Sequence, residues 1–501
     1  MKQSFFALIL CLMVFLSSCA VSIGGASVSS GQVSASGSAE QSQPPTDEDS
    51  AGNRDPSADS LPEDTDIETP PDTGESSFSD NAPDPSTDEP ASAPPTEEPG
   101  KTEEAMFQST APNGIPAVWI VTAPDADITR KEYIDCDIAV VDPTGTYGTV
   151  SDLNATIKVR GNSSSQGEKK PYNFKFSSKQ ELLGLGKGKK WALLANMYDK
   201  TQLRNLLAFG LANDIGMPYV QQSAFVEVYL NGEYRGLYQL CEPIDVDETK
   251  VDIDKDGNEA LLEIEPRPGY SNEKWMRSPN YDLLLGFNEP EVPTDAQRAY
   301  YKDFLGKAEA AMASGDYAQL CSYVDVESFA NAYIVQELFK QVDYATTSTR
   351  FYIKGDKLYE GPVWDFDLSS GNCSTSLYPE YNNKGTTGLS WQGIHCVGLW
   401  NQYLFQYDGF QQLVRDRLTE LQPVIVNLYQ DNELGRSRID AWLDEYRPDI
   451  DRNNELWSPS VKYNAYEHKP VGTYDGEIEF LRDWLKNRNQ WLLDYYCAEK
   501  T

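Results

Sequence analysis

Histidine is nearly absent. The 501 residues hold only His395 and His468, too few and too poorly placed for a hydrolase triad or a zinc site. Basic residues are also scarce, 42 Lys and Arg against 78 Asp and Glu. No segment carries a basic stripe, so no nucleic acid is expected as a partner. The 8 cysteines include Cys11 and Cys19 near the start. The other six (Cys136, Cys241, Cys321, Cys373, Cys396 and Cys497) are widely spaced and contain no CxxC pair, which excludes a zinc ribbon. A disulfide is permitted, with Cys373–Cys396 the first pairing to test.

The leader is apolar from Phe5 to Leu16, too short to span a bilayer as a mature helix. Lys2 precedes this run and Leu16-Ser17-Ser18-Cys19 ends it, similar to a bacterial lipobox. Residues 1–19 are therefore expected to be a lipoprotein signal peptide that leaves Cys19 lipidated. Ordinary cleavage is the alternative, and it would give Cys19 no use. The expected location is extracytoplasmic, lipid-anchored to the bacterial cell membrane. Residues 20–105 are rich in Ser, Pro, Thr and acids, and have only Arg54 and Lys101 as bases. They read as a disordered, self-repelling tether. Residues 106–501 are rich in aromatics and read as one large α+β domain, β-rich in its N-terminal part and helical in its C-terminal part.

The most informative stretch is Glu337–Asn372. A helical run from Val326 ends near Asp343. Arg350–Lys354 and Lys357–Val363 follow as two strands around a Gly355-Asp356 turn. The chain then reads GPVWDFDLSSGN, with Asp365 and Asp367 two apart. In a strand those two carboxylates share a face and suit one hard cation. Phosphoryl transfer needs Mg²⁺ on phosphate oxygens and a carboxylate that orients the attacking hydroxyl. Protein kinases place that base just before a short hairpin and a metal-binding aspartate just after it. Asp343 and Asp365, 22 residues apart, leave room for such a hairpin and little else.

A second candidate is RGNSSSQGEKKPYNFKF, Arg160–Phe176. Its Gly/Ser/Asn turn offers N–H and O–H groups to an anion, and Lys175 alternates with Phe174 and Phe176 on a strand from which it can reach phosphate. It matches neither the P-loop nor the GxGxxG pattern. Asp199 is placed to cap a helix carrying Leu203, Leu206, Leu207 and Leu211, and Asn231-Gly232 marks a hairpin, with Glu242 after its second strand. Asp252–Glu263 satisfies the EF-hand loop pattern, but Glu259 stands where that loop wants an apolar residue. Its flanks are not helical, so an acidic hairpin is expected there.

Five blocks in order carry a family resemblance: KVRGNSSSQGEKKPYNFKF, WALLANMYDKTQLRN, VYLNGEYRGLYQLCEPID, QELFKQVD and KLYEGPVWDFDLSSGN. Together they resemble the CotH kinase family over about Ile115–Tyr496. The resemblance implies an atypical protein-kinase-like two-lobe fold. It also implies an ATP-dependent kinase using Mg²⁺ or Mn²⁺ to phosphorylate serine of secreted or surface proteins. By the same resemblance Asp343 is the catalytic aspartate, Asp365 a metal ligand and Asp367 a second one. Lys170 or Lys175 would hold nucleotide phosphates, Arg160 and Asn162 would shape the loop, and Glu242 falls at a lobe junction. The segment after Asp343 reads ATTSTR and lacks the Asn that kinases use for a second metal, leaving Thr347 or Ser348 in its place. The alternative is a kinase-fold surface scaffold or binding protein with weak or no catalysis.

Overall fold

The computed structural model describes residues 114–264, 272–374, 385–390 and 399–498, all within one compact unit. The leader with Cys19, the tether, His395 and Cys396 lie outside the described residues.

Strands come first and most of the helices follow. β1 (Ala117–Val121), β2 (Ile134–Val141), β3 (Thr149–Val159), β4 (Tyr172–Glu181), β5 (Lys187–Leu194), β6 (Ser223–Leu230) and β7 (Glu233–Cys241) form a closed barrel in the order β1-β2-β3-β4-β5-β7-β6. Parallel pairing of β1 with β6, Val118 opposite Val228, closes it. Alternation fixes which residues fill the barrel. Ile157, Val159, Phe174, Phe176, Trp191 and Leu193 are buried in its core. Lys158, Asn173, Lys175 and Lys190 lie between them on the outer face, with Lys158 paired to Asn173 and Lys175 to Lys190 across the strands. The β6–β7 turn is Asn231-Gly232, as expected, both at positive φ (52° and 85°), the backbone a two-residue hairpin requires.

A second sheet has the order β12-β11-β8-β10-β9. It is built from β8 (Ala260–Ile264), β9 (Trp275–Arg277), β10 (Leu284–Glu289), β11 (Arg350–Lys354) and β12 (Lys357–Glu360). β12 stops three residues short of the expected Val363, because Pro362 has no N–H for the ladder. The Asp252–Glu263 run is a turn leading into β8. Asp252 pairs with Lys354 at 3.0 Å, Asp254 accepts the Gly257 N–H at 3.0 Å, and Glu263 pairs with Arg350 at 3.2 Å.

The helices are α1 (Arg204–Asp214), α2 (Asp295–Met312), α3 (Tyr317–Tyr323), α4 (Val326–Phe339), α5 (Asn401–Leu404), α6 (Asp408–Glu420), α7 (Gln422–Asn427), α8 (Arg438–Leu456) and α9 (Tyr474–Tyr496). α4 is buried on nearly every side, as a helix that is apolar all round must be. Phe329, Ala330 and Tyr333 pack into the core under the second sheet, while Ile334, Val335, Leu338 and Phe339 join the helical core. The end of α4 is thus fixed from both sides, and the segment carrying Asp343 leaves from that fixed point. Among the described residues no helix is long and apolar enough to cross a membrane.

Glu360, the last residue of β12, is buried and takes hydrogen bonds from Tyr344 Oη (3.0 Å) and Asn401 Nδ2 (2.9 Å). Burial pushes its carboxyl up to about 8, against the downward pull of those two donors. The folded chain therefore keeps a proton that the unfolded chain loses above about 4.5. Its contribution to stability is full below that value and is lost as the pH rises to about 8, with a slope of up to ~1.4 kcal/mol per pH unit. Glu360→Gln mimics the protonated form and should remove this slope. Melting curves from pH 5 to 8 are expected to show the wild type losing ground steadily to the variant; parallel curves would contradict a protonated Glu360.

Candidate functional site

The end of α4 is a left-handed turn. Lys340 has φ +47°, and the Gln341 N–H closes back on the Gln336 carbonyl at 3.1 Å. This releases Gln341 toward the WDFD segment. The buried Gln341 side chain donates from Nε2 to the carbonyl of Asp365 at 3.0 Å, and its Oε1 accepts the N–H of Asp343. One amide thus joins the two acidic segments. The Asp343 carbonyl takes the N–H groups of Thr346 and Thr347 (2.9 and 3.0 Å), closing a tight turn before β11.

Asp365 is not in a strand. Its φ is +74°, left-handed and uncommon for a residue with a side chain. The same-face argument for a strand therefore does not apply, yet Asp365 and Asp367 line one cavity together with Asp343. Neighbours hold this backbone on both sides. Gln341 binds the Asp365 carbonyl, and Asn205 in the first turn of α1 accepts the Phe366 N–H at 2.8 Å. Asp365 also accepts the Ser348 hydroxyl at 3.0 Å. Below the acids, Arg204 is fully buried, pairs with Asp199 at 2.5 Å and donates from Nε to the Ser369 carbonyl at 3.0 Å. Asp199 also takes the Arg204 N–H at 2.8 Å, but the N-cap position of α1 is Leu203, so Asp199 holds the helix start from outside and is not the cap residue expected.

Facing the acids is the loop after β3. Arg160 N–H donates to the Pro171 carbonyl at 3.0 Å and closes the loop. Gly161 has φ +84°, a backbone that strains any other residue, and a Cβ there would meet Ser164 Oγ at 2.0 Å and force that hydroxyl to turn. Arg160 lies over Trp364 at 5.4 Å, and its Nε is buried with no partner among the described residues. Arg350 and Asn162 also line this cavity of about 590 Å³.

Electrostatics make the cavity demanding. Burial, then the charges of Asp365, Asp199 and Asp343, push the Asp367 carboxyl well above the usual carboxylate range. Burial presses the Arg160 guanidinium downward, while Asp365 and Asp367 are among the charges that pull it back. Among the described residues no three acids, histidines or cysteines converge on a single point as an all-protein metal cage would. Crowded carboxylates with room beside them suit a Mg²⁺-like ion that takes one or two carboxylates and completes its shell with phosphate and water.

The expected site residues separate into two groups. Arg160, Asn162, Asp343, Asp365 and Asp367 come together on the cavity. Lys170, Lys175 and Glu242 do not line it. Lys170 Nζ donates to the Ser165 carbonyl at 2.9 Å and so braces the loop from behind. Lys175 stands on the outer barrel face over Tyr133, at 3.9 Å. Glu242 pairs with Lys250 at 3.4 Å. Gln341, Arg204, Asn205 and Arg350 were not foreseen. Gln341 lies two residues before Asp343 in the QELFKQVD block, which was the available signal.

The fold and cavity define a mixed α+β protein in which aspartates from two segments face an arginine-bearing loop. The chain belongs to the CotH family, described as CotH kinase protein, whose profile matches residues 157–492. It is also similar to the inner spore coat protein H of Bacillus subtilis (strain 168), 21% identical over 355 residues that cover 68% of this chain and 87% of that protein.

Proposed function

We propose that this chain is a kinase-like phosphotransferase that moves the terminal phosphoryl group of ATP to a serine hydroxyl of a secreted or surface protein. The observation that carries the reading is Gln341, which locks Asp343 beside Asp365 and Asp367 and opposite Arg160. Asp365 and Asp367 would hold Mg²⁺ or Mn²⁺, which supplies positive charge to the phosphates. Asp343 orients the acceptor hydroxyl and receives its proton. Arg160 and Arg350 offset charge on the phosphate oxygens, and Ser348 keeps Asp365 turned into the cavity. In this reading the barrel half and the helical half act as the two lobes of a kinase-like fold. Calorimetry should show ATP binding that requires Mg²⁺ and is lost on adding a chelator; no binding under either condition would overturn the reading.

The location is proposed on the leader alone: a Cys19-linked lipid holds the domain outside the membrane on its acidic tether. Cys19→Ala should release the protein into the soluble fraction or leave an uncleaved precursor. A lipid-labelled, membrane-bound product from that variant would refute the anchor.

A further inference from the structure

A second cavity, of about 320 Å³, lies between the outer face of the barrel and the end of β10. Tyr133 lines it and carries two of its lysines over its ring, and the Tyr133 hydroxyl feels the charge of Arg160, which lines the acid cavity. Lys158 and Lys175 both stand over that ring, at 4.7 and 3.9 Å. Lys190 is Lys175's cross-strand partner.

The carboxylates around this cavity are already engaged. Asp245 pairs with Lys190 at 2.7 Å, Glu289 with Lys255 at 3.2 Å, and Glu291 with Lys274. Lys158 and Lys175 make no ion pair among the described residues. Burial and then the charges of Lys190, Lys158 and Lys189 press the Lys175 ammonium downward, with Asp245 the weaker opposing charge, and a bound anion relieves that repulsion.

We infer that this cavity is a docking subsite for a phosphate monoester, namely a phosphoserine already present in the protein substrate, with Lys158 and Lys175 taking the phosphate. The inference rests on the proposed serine phosphotransfer, of which phosphoserine is the product. It makes the enzyme favour substrates that carry an earlier modification. A nucleotide is the other source of a phosphate monoester. The acid cavity is already in the size range of a nucleotide pocket, which leaves the lysine cavity for the substrate.

The test is binding of a blocked tripeptide with phosphoserine at its centre to the full chain, without ATP or metal, against the same peptide with serine. The phosphorylated peptide should bind at least tenfold more tightly, and more weakly as salt rises. Lys175→Gln and Lys158→Gln should each remove most of that preference while leaving Mg²⁺-ATP binding unchanged, and Lys175→Arg should restore it. Equal affinity for the two peptides would overturn the inference. So would Lys→Gln variants that lose Mg²⁺-ATP affinity together with peptide affinity, since the cavity would then belong to the nucleotide. Because the assay uses no ATP, preference for phosphoserine in a chain that transfers no phosphate would refute the kinase reading and leave the subsite standing.

Discussion

Asp343→Asn is expected to slow phosphoryl transfer by roughly 10²–10⁴-fold, the usual range for loss of a general base, while Mg²⁺-ATP affinity stays close to that of the wild type. The asparagine keeps the backbone N–H that Gln341 accepts, so the turn after α4 is retained. What disappears is the carboxylate that orients and deprotonates the acceptor. Loss of turnover with binding preserved is the signature of an interaction made in the transition state. Asp365→Asn should behave differently. It removes a charged ligand from the proposed cation, so metal and nucleotide affinity should fall together with turnover. The same loss of nucleotide affinity in both variants would show that the two roles have been misassigned.

The largest expected effect on stability is at Arg204. Arg204→Met leaves the Asp199 carboxylate buried without its cation and the Ser369 carbonyl without a donor. Breaking a buried pair from one side costs about 3–5 kcal/mol. The low end applies here, because Asp199 keeps the Thr201 hydroxyl at 2.6 Å and the residue-204 N–H. The urea midpoint should drop accordingly. Metal affinity should also weaken, because Arg204 braces the segment just after Asp367. A midpoint within the range of ordinary surface substitutions would show that the pair is not structural.

The contrast between these two sites shows which features could be read from the sequence. Asp343, Asp365 and Asp367 stood out because acids beside a hairpin signal have few structural uses. The Asn231-Gly232 and Gly355-Asp356 turns were legible because backbone sterics restrict what can occupy them. Barrel closure was not, since β1 pairs with β6 across more than a hundred residues and no local pattern records that partner. β5 was not read, because its first half is Lys-Gly-Lys-Lys and only the short apolar run Trp191–Leu194 marks it. The left-handed Asp365 could not be read either, because tertiary bonds from Gln341 and Asn205 hold it. Lys175 was correctly placed on a strand, but alternation only turns it away from the core and does not say which cavity lies there. The packing of the barrel on the second sheet turned it to the lysine cavity.

The most direct measurement of the central claim is transfer of the γ-phosphate of labelled ATP to protein, followed by identification of the labelled amino acid. With Mg²⁺ present the chain should yield labelled phosphoserine, on itself or on an added secreted or surface protein from its own cell. The label should vanish with a chelator and in Asp343→Asn. A chain that binds Mg²⁺-ATP but never labels serine, or labels it equally well as Asp343→Asn, would contradict the phosphotransferase reading and favour the surface scaffold.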